Sequence, residues 1–238
     1  MKSNCIAVID SGVGGISTLI ELQKALPNFS FVYSGDNKNA PYGEKSDRKL
    51  VSLCIDNLSG IFEFRPCAIV LACNTLSVSV REEIEKFTGI KTFGIFPSVH
   101  VHLMNGEKTL LLSTPKTAEC FSGIKNLTCA PMPKLAGEIE RFKFDLSKVN
   151  VSYHLRELKP IYDAVILGCT HYNFVKNQIL DHLKPPNIET GNHFTIEKIK
   201  AHVKLLGELE IANKNQMIFI GQNASENFQF YTKVVNEY

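Results

Sequence analysis

Two cysteines occupy matching places in this chain. Cys73 follows the apolar run Cys67-Ala68-Ile69-Val70-Leu71-Ala72 and precedes Asn74 and Thr75; Cys169 follows Val165-Ile166-Leu167-Gly168 and precedes Thr170 and His171. Each thiol stands where a strand-like run gives way to hydrogen-bonding side chains, and each is followed by a segment with helical patterning. Taken singly, either cysteine reads more readily as a small apolar packing residue. The matching flanks favour another reading. Inverting a carbon that bears an acidic hydrogen needs a base on one face and an acid on the other. A thiolate and a thiol on opposite sides of a cleft supply both, and exchange roles with direction. Cysteine suits the task because helix amino termini and nearby donors lower its pKa from about 8.5 toward neutrality.

Other polar groups gather at similar points. Asp10 and Ser11 end the run Ile6-Ala7-Val8-Ile9, and the loop Gly12-Val13-Gly14-Gly15 follows. Glycines there let backbone N–H groups approach a ligand at a helix amino terminus, an arrangement suited to anions. The loop is not G-x-G-x-x-G and lacks the acidic partner a dinucleotide site needs, so a simple tight turn competes with the anion reading. In "GDNKNAPYG" (35–43), Pro41 and Gly43 shape the backbone around Tyr42, which either turns the chain or walls a small pocket. In "STPKT" (113–117), the hydroxyls of Thr114 and Thr117 either cap a helix or bind a carboxylate. His171 could donate to a substrate or tune the Cys169 thiol. His100-Val101-His102 invites a metal reading, but nothing else with ligand spacing accompanies it, and no metal is expected.

These groups need a scaffold that brings them together. Apolar runs at 6–9, 31–33, 69–72, 92–96 and 109–112 read as strands, and helical spacing marks 16–26, 48–62, 77–87 and 116–124. Strands alternating with helices imply parallel sheets with right-handed crossovers. A weak internal repeat sharpens this. "IAVIDS" (6–11) is echoed by "TLLLST" (109–114), and "IVLACNT" (69–75) by "VILGCTH" (165–171). Ser11 and Cys73 lie 62 residues apart, Thr114 and Cys169 55. The expected fold is α/β, with two similar doubly wound parallel-sheet domains and the active site in the cleft between them, beyond the carboxyl ends of the strands. The first domain is expected to comprise 1–95 plus 208–238, and the second 96–207.

Bulk properties narrow the function further. The 238 residues are 44% hydrophobic and 21% charged, as in ordinary soluble domains. A net charge of +2 provides no field to attract nucleic acid or an anionic membrane. No run approaches the ~20 apolar residues of a transmembrane helix, and the amino terminus does not read as a signal peptide. Seven cysteines without a C-x-x-C pair argue against a disulfide framework or a tetrathiolate zinc site and point to a reducing cytoplasm.

The ordered motifs "IDSGVGG" (9–15), "PYG" (41–43), "ACNT" (72–75), "TPKT" (114–117), "PKLAGEIE" (133–140) and "GCTHY" (168–172) resemble those of the glutamate racemases, in the aspartate/glutamate racemase superfamily. The resemblance covers most of the chain. It implies interconversion of L- and D-glutamate without a cofactor, D-glutamate for peptidoglycan, and a homodimer; from charge and hydropathy, no nucleic-acid or membrane partner is expected. It also implies that Cys73 acts on D-glutamate and Cys169 on L-glutamate, with Asp10, His171 and Glu140 assisting. Glu138 is close enough in the same motif to be the alternative to Glu140. Asp10, Ser11, Pro41, Tyr42, Gly43, Cys73, Asn74, Thr75, Thr114, Thr117, Cys169, Thr170 and His171 are the expected substrate-binding set. Asn39 and Asn173 stand where the family often has arginine and proline. Rival readings are an aspartate or broad-specificity racemase, a non-catalytic amino-acid-binding protein of the same fold, and a cysteine hydrolase, which needs only one nucleophile.

Overall fold

The run after Asn4 forms the strand β1 (Cys5–Asp10), fully buried in a computed structural model that describes residues 3–207 and 216–237. Its alternate residues pack on opposite faces: Ile6 and Val8 in one core cluster, Cys5, Ala7 and Ile9 in another. A strand covered on both faces is apolar along its length, which is why this one shows no polar alternation before its last residue, Asp10. There follow α1 (Ile16–Ala25), β2 (Ser30–Gly35), α2 (Asp47–Asn57), β3 (Ala68–Leu71), α3 (Asn74–Ser79), α4 (Arg81–Thr88) and β4 (Thr92–Gly94). The second half continues with α5 (Val99–Met104), β5 (Thr109–Ser113), α6 (Pro115–Cys120), β6 (Leu127–Pro131), α7 (Leu135–Arg141), α8 (Val151–Leu155), β7 (Ala164–Gly168), α9 (Lys176–Leu183) and β8 (Asn187–Thr190). The chain ends with α10 (Asn192–Leu205), β9 (Met217–Phe219) and α11 (Ala224–Val234).

Two parallel sheets result, ordered β4-β3-β1-β2-β9 and β6-β5-β7-β8. Without β9 the two orders coincide: in each sheet the first strand lies between the second and the third, and the fourth lies outside the third. The sequence echoes fall on equivalent strands, β1 with β5 and β3 with β7. In each sheet the connections diverge between these two strands, and there the carboxyl ends leave a crevice.

Four local readings change. The helix expected over 48–62 stops at Asn57; after a turn through Gly60 (φ 82°) a separate 3-10 helix follows at Ile61–Phe64. The stretch 77–87 lies in two helices, α3 and α4, separated at Val80. The strand expected over 92–96 ends at Gly94, and α6 stops at Cys120, short of residue 124. Cys73 leads directly into α3, whereas Cys169 leads into a 3-10 turn, Thr170–Val175, before α9.

The division between halves also differs in one element. α10, placed by sequence in the second half, packs Ile196, Ile199 and Val203 into the core of the first sheet, and Thr195 Oγ1 donates to the carbonyl of Gly94 (2.9 Å). The apolar stripe of α10 finds its partner in α1, not in the sheet it follows. In the carboxy-terminal segment, β9 pairs with β2, and Phe230 and Val234 of α11 join the same core. Residues 208–215 and 238 of that segment lie outside the described residues.

Candidate active site

Because β1 and β3 are neighbours, Asp10 and Cys73 emerge side by side from the first sheet. Because β5 and β7 are neighbours, Thr114 and Cys169 do so from the second. The two rims face each other. Ser11, Pro41, Tyr42, Cys73, Asn74 and Thr75 of the first half enclose a cavity with Thr114, Ala136, Gly168, Cys169, Thr170 and His171 of the second. Its volume is about 10 Å³, near what one water needs. The hydroxyls of Thr75 and Thr114 meet across it at 3.0 Å, and Thr114 Oγ1 donates to Thr117 Oγ1 (3.2 Å). The amide of Lys116 donates to the carbonyl of Gly43 (3.2 Å), tying the loop around Tyr42 to the start of α6.

The glycine loop does something other than cradle an external anion. Gly12 N–H donates to Asp10 Oδ1 (2.8 Å), and Val13 N–H donates to Glu140 Oε2 (3.0 Å). Its donors thus hold two carboxylates of the protein itself. A Cβ on Gly12 would stand 2.2 Å from Glu140 Oε2, and one on Gly14 would stand 2.4 Å from His171 Nδ1. These glycines are needed because the second half approaches the loop so closely.

Behind each thiol stands a different assistant. On the Cys169 side, Sγ lies 3.9 Å from His171 Nδ1, and His171 Nε2–H donates to Glu140 Oε2 at 2.7 Å. Burial opposes the charge on His171, but the hydrogen bonds to Cys169 and Glu140 prevail and hold the imidazole protonated well above its usual range. Burial likewise opposes the Glu140 carboxylate; His171, the Val13 N–H and Lys143 overcome it and bring its pKa down. On the other side, burial first and the Asp10 carboxylate second push the Cys73 thiol up to about 12, against hydrogen bonds from the Leu76 amide and Ser11. Asp10 is itself raised, by burial. It accepts from Thr170 Oγ1 (3.3 Å), so it also spans the halves. The site is therefore asymmetric: Cys73 is a neutral thiol, and Cys169 faces an imidazolium.

The sequence-derived set divides in two. Ser11, Pro41, Tyr42, Asn74, Thr75, Thr114, Cys73, Cys169, Thr170 and His171 line the cavity. Asp10, Gly43, Thr117 and Glu140 do not. Asp10 and Glu140 lie one layer behind, Thr117 supports Thr114, and Gly43 packs against the Thr114 side chain, which an added Cβ would meet at 2.5 Å. Glu138 turns away to His154 Nε2 (2.6 Å) and the amide of Asn150 (2.8 Å), so Glu140 is the carboxylate at the site. Reading by residue type missed Ala136 and Gly168, which line the cavity with backbone and small side chains, and Val13, which acts through its amide. The two histidines at 100 and 102 part: His102 bridges Glu107 (2.6 Å) and Glu189 (3.2 Å), while His100 packs at a tilt against Phe194.

No protein-family model matches the chain. Among solved structures, glutamate racemase from Thermus thermophilus in complex with β-chloro-D-alanine superposes with a TM-score of 0.77 at 24% identity, over 98% of this chain and 94% of that one. The Escherichia coli glutamate racemase in complex with L-glutamate and the activator UDP-MurNAc-Ala gives 0.76 at 23% identity, over 100% and 96%. These likenesses establish the fold. The sequence of the Clostridium acetobutylicum glutamate racemase is 33% identical in an alignment 237 residues long that covers 92% of either chain. Identity at that level, sustained over nearly the whole length of both, places this chain in the glutamate racemase family.

Proposed function

We propose that the chain interconverts L- and D-glutamate by proton transfer between Cys73 and Cys169. The observation that carries this reading is that each sheet delivers one cysteine to the same cavity, each with its own charged assistant behind it. A Cys169 thiolate, paired with the His171 imidazolium, takes the Cα proton of L-glutamate. The electron pair of the C–H bond stays on carbon and spreads into the α-carboxylate. The Cys73 thiol then gives its proton to the opposite face, leaving D-glutamate and a Cys73 thiolate beside Asp10. The reverse reaction exchanges the roles. Ser11, Asn74, Thr75, Thr114 and Thr170 offer hydrogen bonds to the carboxylates and ammonium, placed to stabilise charge as it develops. A cavity of about 10 Å³ is too small for an amino acid, so on this reading the halves part to admit substrate and close to exclude water.

The reading extends to the role of the product and to assembly. D-glutamate supplies peptidoglycan, and the enzyme works as a cytoplasmic homodimer, as the motif resemblance implies; light scattering of the purified protein tests the dimer. Among the described residues no helix is long and apolar enough to cross a membrane. The decisive assay follows the circular dichroism of L- and of D-glutamate without added cofactor, in H2O and in D2O. Racemisation with solvent deuterium at Cα is expected, and L-aspartate should turn over far more slowly. Cys73→Ser and Cys169→Ser should each abolish racemisation from both enantiomers. Near-normal turnover in either variant sinks the two-base assignment.

A further inference from the structure

Lys143 is a buried lysine outside the cavity, 7% exposed. Its ammonium donates to the Glu140 carbonyl (2.9 Å), lies 3.0 Å from Glu226 Oε1, and lies 3.4 Å from Glu140 Oε1. Glu140 Oε2 is already taken by the Val13 amide and His171, while Oε1 has no hydrogen-bond partner. The ammonium is therefore the cation that faces the free oxygen. Glu226 lies in the first turn of α11, on the other half of the molecule, and also accepts from Asn37 Nδ2 (2.9 Å) in the loop leading to Tyr42. Two further contacts dock α11 here: Lys233 Nζ donates to the carbonyl of Phe144, and the Phe144 and Phe230 rings meet edge to face at 6.2 Å.

We propose that Lys143 is a positioning residue for racemisation: held by Glu226 of α11, it fixes the Glu140–His171 pair behind Cys169. The inference rests on the acid–base roles given above to Cys169, His171 and Glu140. A buried ammonium is costly to desolvate, and a fold that needed only packing would be served by an apolar side chain here. Placed where it is, the ammonium keeps a buried carboxylate charged, and that carboxylate keeps the imidazole charged and aimed at sulfur. The other titratable groups facing the pair are Asp10 from β1, Tyr33 from β2 and Cys169 after β7, and Glu226 of α11 faces the ammonium. Apart from Lys143 and His171 all of these are acids. Removing one cation raises the pH at which the cluster gives up its proton.

The test compares pH profiles of kcat/KM for the unaltered chain, Lys143→Gln, Lys143→Arg and Glu226→Ala, with Cys169→Ser alongside. Lys143→Gln should move the acid limb up by about one pH unit, and so lower kcat/KM about tenfold below the limb. Both directions must fall together, because two enantiomers in water have equal free energy and the ratio of their kcat/KM values is one. Lys143→Arg should restore the limb. Glu226→Ala should lower kcat/KM about threefold by releasing the ammonium, and it decides the matter if Lys143→Gln does not fold. A Lys143→Gln profile that superposes on that of the unaltered chain overturns the proposal. So does a loss of rate with an unmoved limb that arginine does not repair, or, where glutamine is not tolerated, a Glu226→Ala value within twofold of normal. Activity retained by Cys169→Ser instead overturns the underlying acid–base reading, which the lysine variants do not address.

Discussion

The carboxylate of Glu140, on α7, accepts a hydrogen bond of 3.0 Å from the backbone amide of Val13, in the loop after β1. This contact joins the two halves at the centre of the site. A loop rich in glycine at a helix amino terminus is a general anion holder. Here the anion is an acidic side chain of the same chain, and the same oxygen holds His171 at 2.7 Å. The loop thus orients the partner of Cys169 while its neighbour Asp10 stands by Cys73.

That arrangement distinguishes two glutamates in one helix. Glu140→Gln removes the counter-ion of the His171 imidazolium and should lower kcat/KM by about 10²-fold, the scale of a lost acid–base assistant. Glu138→Gln should leave kcat/KM within twofold and cost about 1 kcal/mol of stability, through its bonds to His154 and Asn150. Steady-state kinetics and thermal melts on both variants check this, and equal losses of activity would contradict it.

Close approach at the loop predicts a steric effect with an internal control. Gly12→Ala forces a methyl group against Glu140 Oε2 and should destabilise the protein by about 1–3 kcal/mol while lowering activity. Gly137→Ala lies within α7, where the nearest atom to an added Cβ is Pro41 Cδ at 3.5 Å. It should gain about 0.5–1 kcal/mol from helix propensity. Urea titrations compare the two.

Asp10 raises the Cys73 thiol, after burial the largest influence. Asp10→Asn removes that negative charge, so the thiol ionises at lower pH. The alkaline limb of the rate profile, where the protonated acid is lost, should move to lower pH. The rate at the optimum should drop by about 10²-fold. An alkaline limb that stays fixed or moves up would separate Asp10 from Cys73.

Buried thiols make the fold itself sensitive to alkali. Burial pushes Cys5, Cys54 and Cys73 each up to about 12, with smaller contributions from Cys67 on Cys5 and Asp10 on Cys73. For a group raised in the folded state, stability is fully present below the unfolded value, near 9, and is lost as pH rises through the folded value. The melting temperature should therefore fall steadily from pH 9 toward 12. At Cys54 burial is the only cause, and Cys54→Ala should flatten the slope by up to about 1.4 kcal/mol per pH unit. Melting curves across that range that are parallel for both proteins would refute the assignment.

Much of this molecule is legible in the residues alone. Strands β1, β3, β5 and β7 are continuous apolar runs because both faces of each sheet are covered, and the polar groups after them mark where the core ends. The repeat places Cys73 and Cys169 at equivalent strand tips, and the ordered motifs name their assistants. These are local properties, decided by periodicity and residue type within a few positions. Other features depend on how separate segments meet. Glu138 and Glu140 differ by two positions, about 200° around a helix, so only the packing of α7 says which one reaches His171. The glycine loop reads as a ligand site until the second half fills it. α10 follows the second sheet in sequence yet buries its apolar stripe on the first, and Lys143 gains its meaning from Glu226 on a helix 83 positions later. Sequence by itself determined the strands, the repeat and the two thiols; the tertiary structure decided which charges face them, because buried charges are placed by partners from distant segments.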